Sequence, residues 1–145
     1  MPEGRLEIIA RRKGRVYIND TTATNPGSAI HSLHTIRRAF GKKIRFLVIT
    51  GGEDKLFPRD EIRQYARDLH TYTNGVYMLP GSMTDILTHY FRGGVLCNSL
   101  EEAVVKASGA KGIIALVPGA ASFNMFTNEF HRARVFIKAV RKLKI

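Results

Sequence analysis

Only one cysteine, Cys97, occurs in the 145 residues. One cysteine cannot close an intramolecular disulfide, so a disulfide-stapled secreted scaffold is excluded. Cys97 sits in an apolar stretch and is expected to be a small core residue. No apolar run approaches the roughly 18 residues of a membrane span. The stretch from Met1 to Gly14 lacks the long apolar segment of a signal peptide. The expectation is a cytoplasmic protein with no membrane partner, in which the Asn19-Asp20-Thr21 sequon is incidental. Several motifs are also missing: G-x-x-x-x-G-K-[ST], G-x-G-x-x-G and G-x-S-x-G. His31, His34, His70, His89 and His131 show no metal-ligand spacing, so no metal site is expected. The aromatic residues form no aromatic–basic stripe of the kind an RNA-binding sheet carries.

Acid is scarce. The formal net charge is +11, unevenly distributed. Residues 37–45 carry Arg37, Arg38, Lys42, Lys43 and Arg45 without one acid. Residues 131–145 carry Arg132, Arg134, Lys138, Arg141, Lys142 and Lys144, again without one. Residues 46–130 are slightly acidic. This balance admits a nucleic-acid or anionic-partner reading and equally a set of solvated helix faces. The length fits one domain over residues 1–145. With 44% apolar and 24% charged residues the composition is that of a globular chain, not a disordered or fibrous one.

Periodicity supplies the fold. Residues 6–19 read as a β-hairpin turning at Arg12-Lys13-Gly14. Pro26 fits the first position of a helix capped by Asn25, with Ile30, Leu33, Ile36 and Phe40 at helical spacing and Gly41 ending the run. Ile44–Thr50 is an apolar run, as in a strand buried on both faces. Asp60–Tyr72 reads as a helix, Val76–Leu79 as a strand, 82–91 as helical and Val95–Cys97 as a short strand. Ser99 and Glu102 form a capping-box pattern opening a helix to about Ala107. Ile113–Val117 is another buried strand. The last helix covers 129–143, with Phe130, Ala133, Ile137 and Val140 inward and most of the positive charge outward. The alternation predicts an α/β, three-layer Rossmann-like domain with a mainly parallel sheet plus an N-terminal hairpin.

In such sheets ligands sit beyond the C-terminal ends of the strands. Three loops qualify. Asp20–Asn25, with Asp20, Thr22 and Thr24, lies before a helix N-terminus, a natural anion site, although Asp and Thr also serve in ordinary turns. Gly51-Gly52-Glu53-Asp54-Lys55 allows a sharp turn and aims Lys55 over the sheet edge, where a surface lysine is the plainer alternative. In Pro118–Asn128, Ser122 offers a hydroxyl and an amide to a carboxylate, or else caps a helix.

Together these loops resemble the C-terminal domain of the Mur ligases, most of all the branch that adds D-glutamate to UDP-N-acetylmuramoyl-L-alanine. The resemblance is carried by Glu3-Gly4-Arg5-Leu6-Glu7, by Tyr17 through Pro26, by Gly51 through Lys55 and by Pro118 through Phe126. Asn128, Arg132 and Phe136 continue the last stretch. It implies an ATP- and magnesium-dependent amide ligase in peptidoglycan-precursor synthesis, with an acyl-phosphate intermediate. This chain would work with the N-terminal and central Mur ligase domains and be inactive alone. Carried over position by position, Arg5 would reach the ATP phosphates and Asp20 the ribose hydroxyls. Thr24, Lys55, Ser122 and the backbone near Phe123 would hold the carboxylates of D-glutamate. Two positions depart from the family pattern. Thr22 stands where many members have lysine. Glu129 stands where an aromatic residue often packs on the amino acid, a role Phe130 would take over one position later. Residues 82–111 match poorly. Two alternatives remain at this level: a free-standing module for an anionic partner or nucleic acid, and a Mur-type domain for another amino acid.

Overall fold

The computed structural model describes residues 2–145. A hairpin of β1 (Glu7–Arg12) and β2 (Arg15–Asn19) leads into α1 (Pro26–Phe40). Then follow β3 (Phe46–Thr50), α2 (Arg59–Tyr72), β4 (Gly75–Met78), α3 (Ser82–Leu87), β5 (Val95–Leu96), α4 (Leu100–Ala107), β6 (Gly112–Leu116) and α5 (Glu129–Arg141). The sheet order is β1-β2-β6-β3-β4-β5. Only the β1–β2 pair is antiparallel. The expected α/β three-layer architecture is therefore the observed one.

Side chains alternate across a strand, and this sorts the core into two layers. Phe46 and Val48 of β3 and Ile113 and Ala115 of β6 pack against α1, α2 and α3 through Leu33, Ile62, Tyr65 and Met83. Leu47, Ile49, Ile114 and Leu116 face the other way, onto Leu100 and Val104 of α4 and Phe136 and Val140 of α5. This is why the runs around β3 and β6 are apolar at every position: both faces are covered. Cys97 is buried in the second layer, just past the end of β5. In α1, Asn25 caps the helix through Ser28 N–H at 2.9 Å, and Pro26 opens it.

Some boundaries and faces differ from those read in the sequence. The hairpin turns at Lys13-Gly14. The strand begins at Phe46 rather than Ile44, because Arg37 Nη1 binds the Ile44 carbonyl at 2.7 Å and holds that residue outside the ladder. The 82–91 helix ends at Leu87 and continues as turns. At the next helix, Ser99 Oγ accepts from Glu102 N–H, but the Glu102 carboxylate reaches Asn98 N–H, one residue before the expected partner. The last helix ends at Arg141, and its inward face is Arg132, Ala133, Phe136, Ala139 and Val140. Phe130 is exposed and Ile137 half-buried. The face is rotated from the expected one because Arg132, a cation, lies inward on it.

Candidate functional site

The strand order places β6 between β2 and β3, so the loops leaving these three parallel strands become neighbours. Backbone hydrogen bonds fasten them together. Asp20 N–H donates to Leu116 O at 2.9 Å, Gly51 N–H to Pro118 O at 2.9 Å and Gly119 N–H to Ala23 O at 2.8 Å. Glu53 and Ala121 form a two-way bridge. The loop after β3 approaches so closely that a Cβ on Gly52, at φ 145°, would lie 2.6 Å from Ala121 O. Only glycine fits that conformation and that approach.

Two cavities flank the loop 20–25. The first, about 550 Å³, is lined by Arg5, Asp20, Thr22, Ser28, His31 and Ser32 among others. Asp20 is buried, and Oδ1 accepts Leu6 N–H at 3.0 Å. Its Oδ2 is buried and has no hydrogen-bond partner among the described residues. Burial pushes the Asp20 carboxyl above the usual carboxylate range, opposed by the Ser32 hydroxyl, the Leu6 amide, Arg5 and His31. Thr22 has a structural task of its own. Its N–H and hydroxyl both donate to Gly4 O at 3.1 Å, pinning the segment that carries Arg5.

The second cavity, about 340 Å³, is lined by Thr24, Asn25, Lys55, Phe57, Ala121, Ser122, Phe123 and Glu129. Lys55 Nζ lies 3.7 Å from Glu53 Oε1 and 4.9 Å above the Phe123 ring, within cation–π range. Ser122 is buried, and its carbonyl accepts from Met125 and Phe126 N–H. It does not cap α5, whose cap is Asn128. Phe123 is 60% exposed at the mouth. Phe130 lines neither cavity, so the apolar surface expected from it comes from Phe57 and Phe123. Glu129, by contrast, belongs to the wall.

Thus the six residues singled out in the sequence separate into two groups: Arg5 with Asp20, and Thr24 with Lys55, Ser122 and Phe123. Between them lies Arg132, 1% exposed. Its guanidinium donates to Thr21 Oγ1 at 3.0 Å, to Thr21 O at 2.7 Å and to Ala120 O at 3.1 Å. Burial lowers its pKa to about 10, against the opposing pull of Glu129. It ties the loop after β2 to the loop after β6. Arg132 falls in the family-like stretch, whose resemblance assigns it no role. Hydrophobic periodicity reads an arginine as outward-facing, so local sequence gives no signal that it turns inward. Among the described residues no three His, Cys, Asp or Glu side chains converge as a metal site. His34 Nε2 does meet Asp68 Oδ2 at 3.1 Å, a pairing invisible in the sequence.

A protein from Roseiflexus sp. (strain RS-1) described as UDP-N-acetylmuramoylalanine–D-glutamate ligase is 37% identical over 95% of this chain. The chain belongs to the Mur ligase family. A ligase of the same description from Koribacter versatilis is 34% identical over 97% of the chain. The chain spans about 30% of the length of these curated Mur ligase relatives. Among solved structures, a MurF ligase from Thermotoga maritima in complex with ADP superposes with TM-score 0.68 at 16% identity, over 96% of this chain and 31% of that one. A murein peptide ligase from Psychrobacter arcticus gives TM-score 0.65 at 14% identity, over 99% of this chain and 31% of that one. These two show the Mur ligase fold. No family model matches the chain. No helix is long and apolar enough to cross a membrane.

Proposed function

We propose that this chain is the C-terminal domain of an ATP-dependent carboxylate–amine ligase that adds D-glutamate to UDP-N-acetylmuramoyl-L-alanine in peptidoglycan-precursor synthesis. In this reading it acts with N-terminal and central Mur ligase domains and closes over the site. The observation that supports it is the separation of the loops into two adjoining cavities, one suited to a nucleotide and one to a dicarboxylate.

The first cavity fits a nucleotide. Asp20 Oδ2 is a buried acceptor without a donor, which a ribose hydroxyl would supply, and Arg5 supplies a cation for phosphate oxygens. When bound, ATP supplies the phosphoryl group that activates the carboxylate. Magnesium would be held by the central domain. In the second cavity, Lys55, Thr24, Ser122 and the backbone at Phe123 hold the two carboxylates of D-glutamate. Holding the amino acid there orients its amine toward the activated carboxylate, and the entropy of alignment is lost on binding rather than in the reaction.

The isolated chain has no G-x-x-x-x-G-K-[ST] loop and is expected to hydrolyse no ATP. It is expected to bind D-glutamate weakly, with Lys55→Ala abolishing that binding. Calorimetric titration with D-glutamate and with ADP tests both cavities. Robust ATP hydrolysis by the pure chain, or D-glutamate binding indifferent to Lys55→Ala, overturns the reading.

A further inference from the structure

We infer that Glu129 holds the ammonium group of the incoming amino acid, so that the second cavity selects a zwitterion over a plain dicarboxylate. The inference rests on reading that cavity as the amino-acid site. Two helices open at this cavity: Asn25 caps α1 and Glu129 is the first residue of α5, and both are in the wall. Helix N-termini favour anions, and Lys55 adds a cation. A site for carboxylates alone would complete this wall with donors. Instead it contains an acid.

The surroundings of that acid differ from those of the other charges nearby. Lys55 has Glu53 at 3.7 Å and the Phe123 ring below it. Arg132, on the same face of α5, has its guanidinium occupied by Thr21 and Ala120. Glu129 is half-buried. Among the described residues its carboxylate takes part in no salt bridge within 4.0 Å, and only its backbone carbonyl accepts a hydrogen bond, from the Thr21 hydroxyl at 2.6 Å. It is the one carboxylate in the wall. An α-amino acid carries a group complementary to it; a dicarboxylate without an amine turns only negative charge toward it. Glu129 therefore contributes attraction toward one ligand and repulsion toward the other, which is how specificity is built.

The test is a pairwise titration of the isotope-labelled chain with D-glutamate and with glutarate, which lacks the amine, followed by amide and side-chain NMR shifts. Wild type is expected to bind D-glutamate about tenfold more tightly, or about 1.4 kcal/mol. Glu129→Gln keeps the shape of the side chain and is expected to bring the two ligands within about twofold, without weakening glutarate. Glu129→Ala, which leaves both caps of the flanking helices intact, is expected to show the same collapse. A tenfold preference that survives in Glu129→Gln, or equal binding of both ligands by wild type, overturns the inference. If both ligands bind, both are lost in Lys55→Ala, and their ratio ignores residue 129, only the role of Glu129 falls. If neither ligand shifts the resonances of Lys55 and Ser122, the amino-acid reading of the cavity falls, and the role of Glu129 with it.

Discussion

At the end of the sheet where the parallel strands begin, arginines are occupied by the backbone. Arg12 donates to Val140 O and Leu143 O at the end of α5, and Arg15 to Ser108 O at the end of α4. Arg37 donates to Tyr72 O at the end of α2 and to Gly41 O and Ile44 O beyond α1. The last carbonyls of a helix have no partner within it, and the helix dipole places negative charge there. At the opposite end, where β2, β3 and β6 finish, Asp20 Oδ2 has no hydrogen-bond partner among the described residues in one cavity, and in the other the Glu129 carboxylate forms no ion pair within 4.0 Å and feels only the longer-range pull of Arg132. On the proposed reading, the difference separates charge that builds the fold from charge that meets a ligand. Much of the basic surplus therefore belongs to helix ends, with Lys42, Lys43, Arg45, Lys111, Arg141, Lys142 and Lys144 exposed around them.

Substitutions at the two ends test this contrast. The largest effect is expected for Arg132→Met. It leaves the Thr21 and Ala120 carbonyls buried without donors and should cost about 3 kcal/mol, read as a fall in the urea midpoint at constant slope. Arg37→Ala, at the other end, is expected to cost about 2 kcal/mol, since charge-assisted hydrogen bonds to several carbonyls are lost. Equal stability of Arg37→Ala and wild type would break the claim that arginines there are structural. Asp20→Asn should go the other way, stabilising by about 1 kcal/mol at neutral pH while weakening nucleotide binding, as residues kept for function often do. The sign follows from burial. With its pKa raised above 3.8 in the folded chain, Asp20 takes up a proton more readily folded than unfolded. Stability thus falls as pH rises from the unfolded value through the folded one. Denaturation curves at several pH values should show that slope in wild type and its reduction in Asp20→Asn. The smallest effect belongs to Arg38→Ala, an exposed cation outside every ion pair found among the described residues. It should stay within about 0.5 kcal/mol of wild type.

The comparison also shows which parts of the site were legible. The loops were, because glycine pairs, Asp-Thr turns and small residues after apolar strands have local causes. Asp20 and Lys55 stood out as loop residues for that reason, but turn chemistry and a surface lysine explained them equally well, and their expected roles came only from the family resemblance. The division of the site into two cavities was not, since it depends on β6 inserting between β2 and β3, a long-range pairing with no local signature. The role of Thr22 was hidden too: its hydrogen bonds reach back 18 residues to Gly4. Helix α5 misled because hydrophobic periodicity counts Arg as outward. Burial of Arg132 is possible only where carbonyls from two loops surround it.

Local sequence determined the elements themselves. Pro26 behind Asn25 starts α1 where it does, Gly41 ends it, and strands apolar at every position require cover on both faces. Tertiary structure alone decided which strand ends lie side by side, that Arg132 faces inward, and that Glu129 shares a wall with Lys55. The first set follows from dihedral preferences and side-chain period, which act within a few residues. The second follows from hydrogen bonds and charges brought together across roughly a hundred residues, and only the folded sheet order brings them into contact.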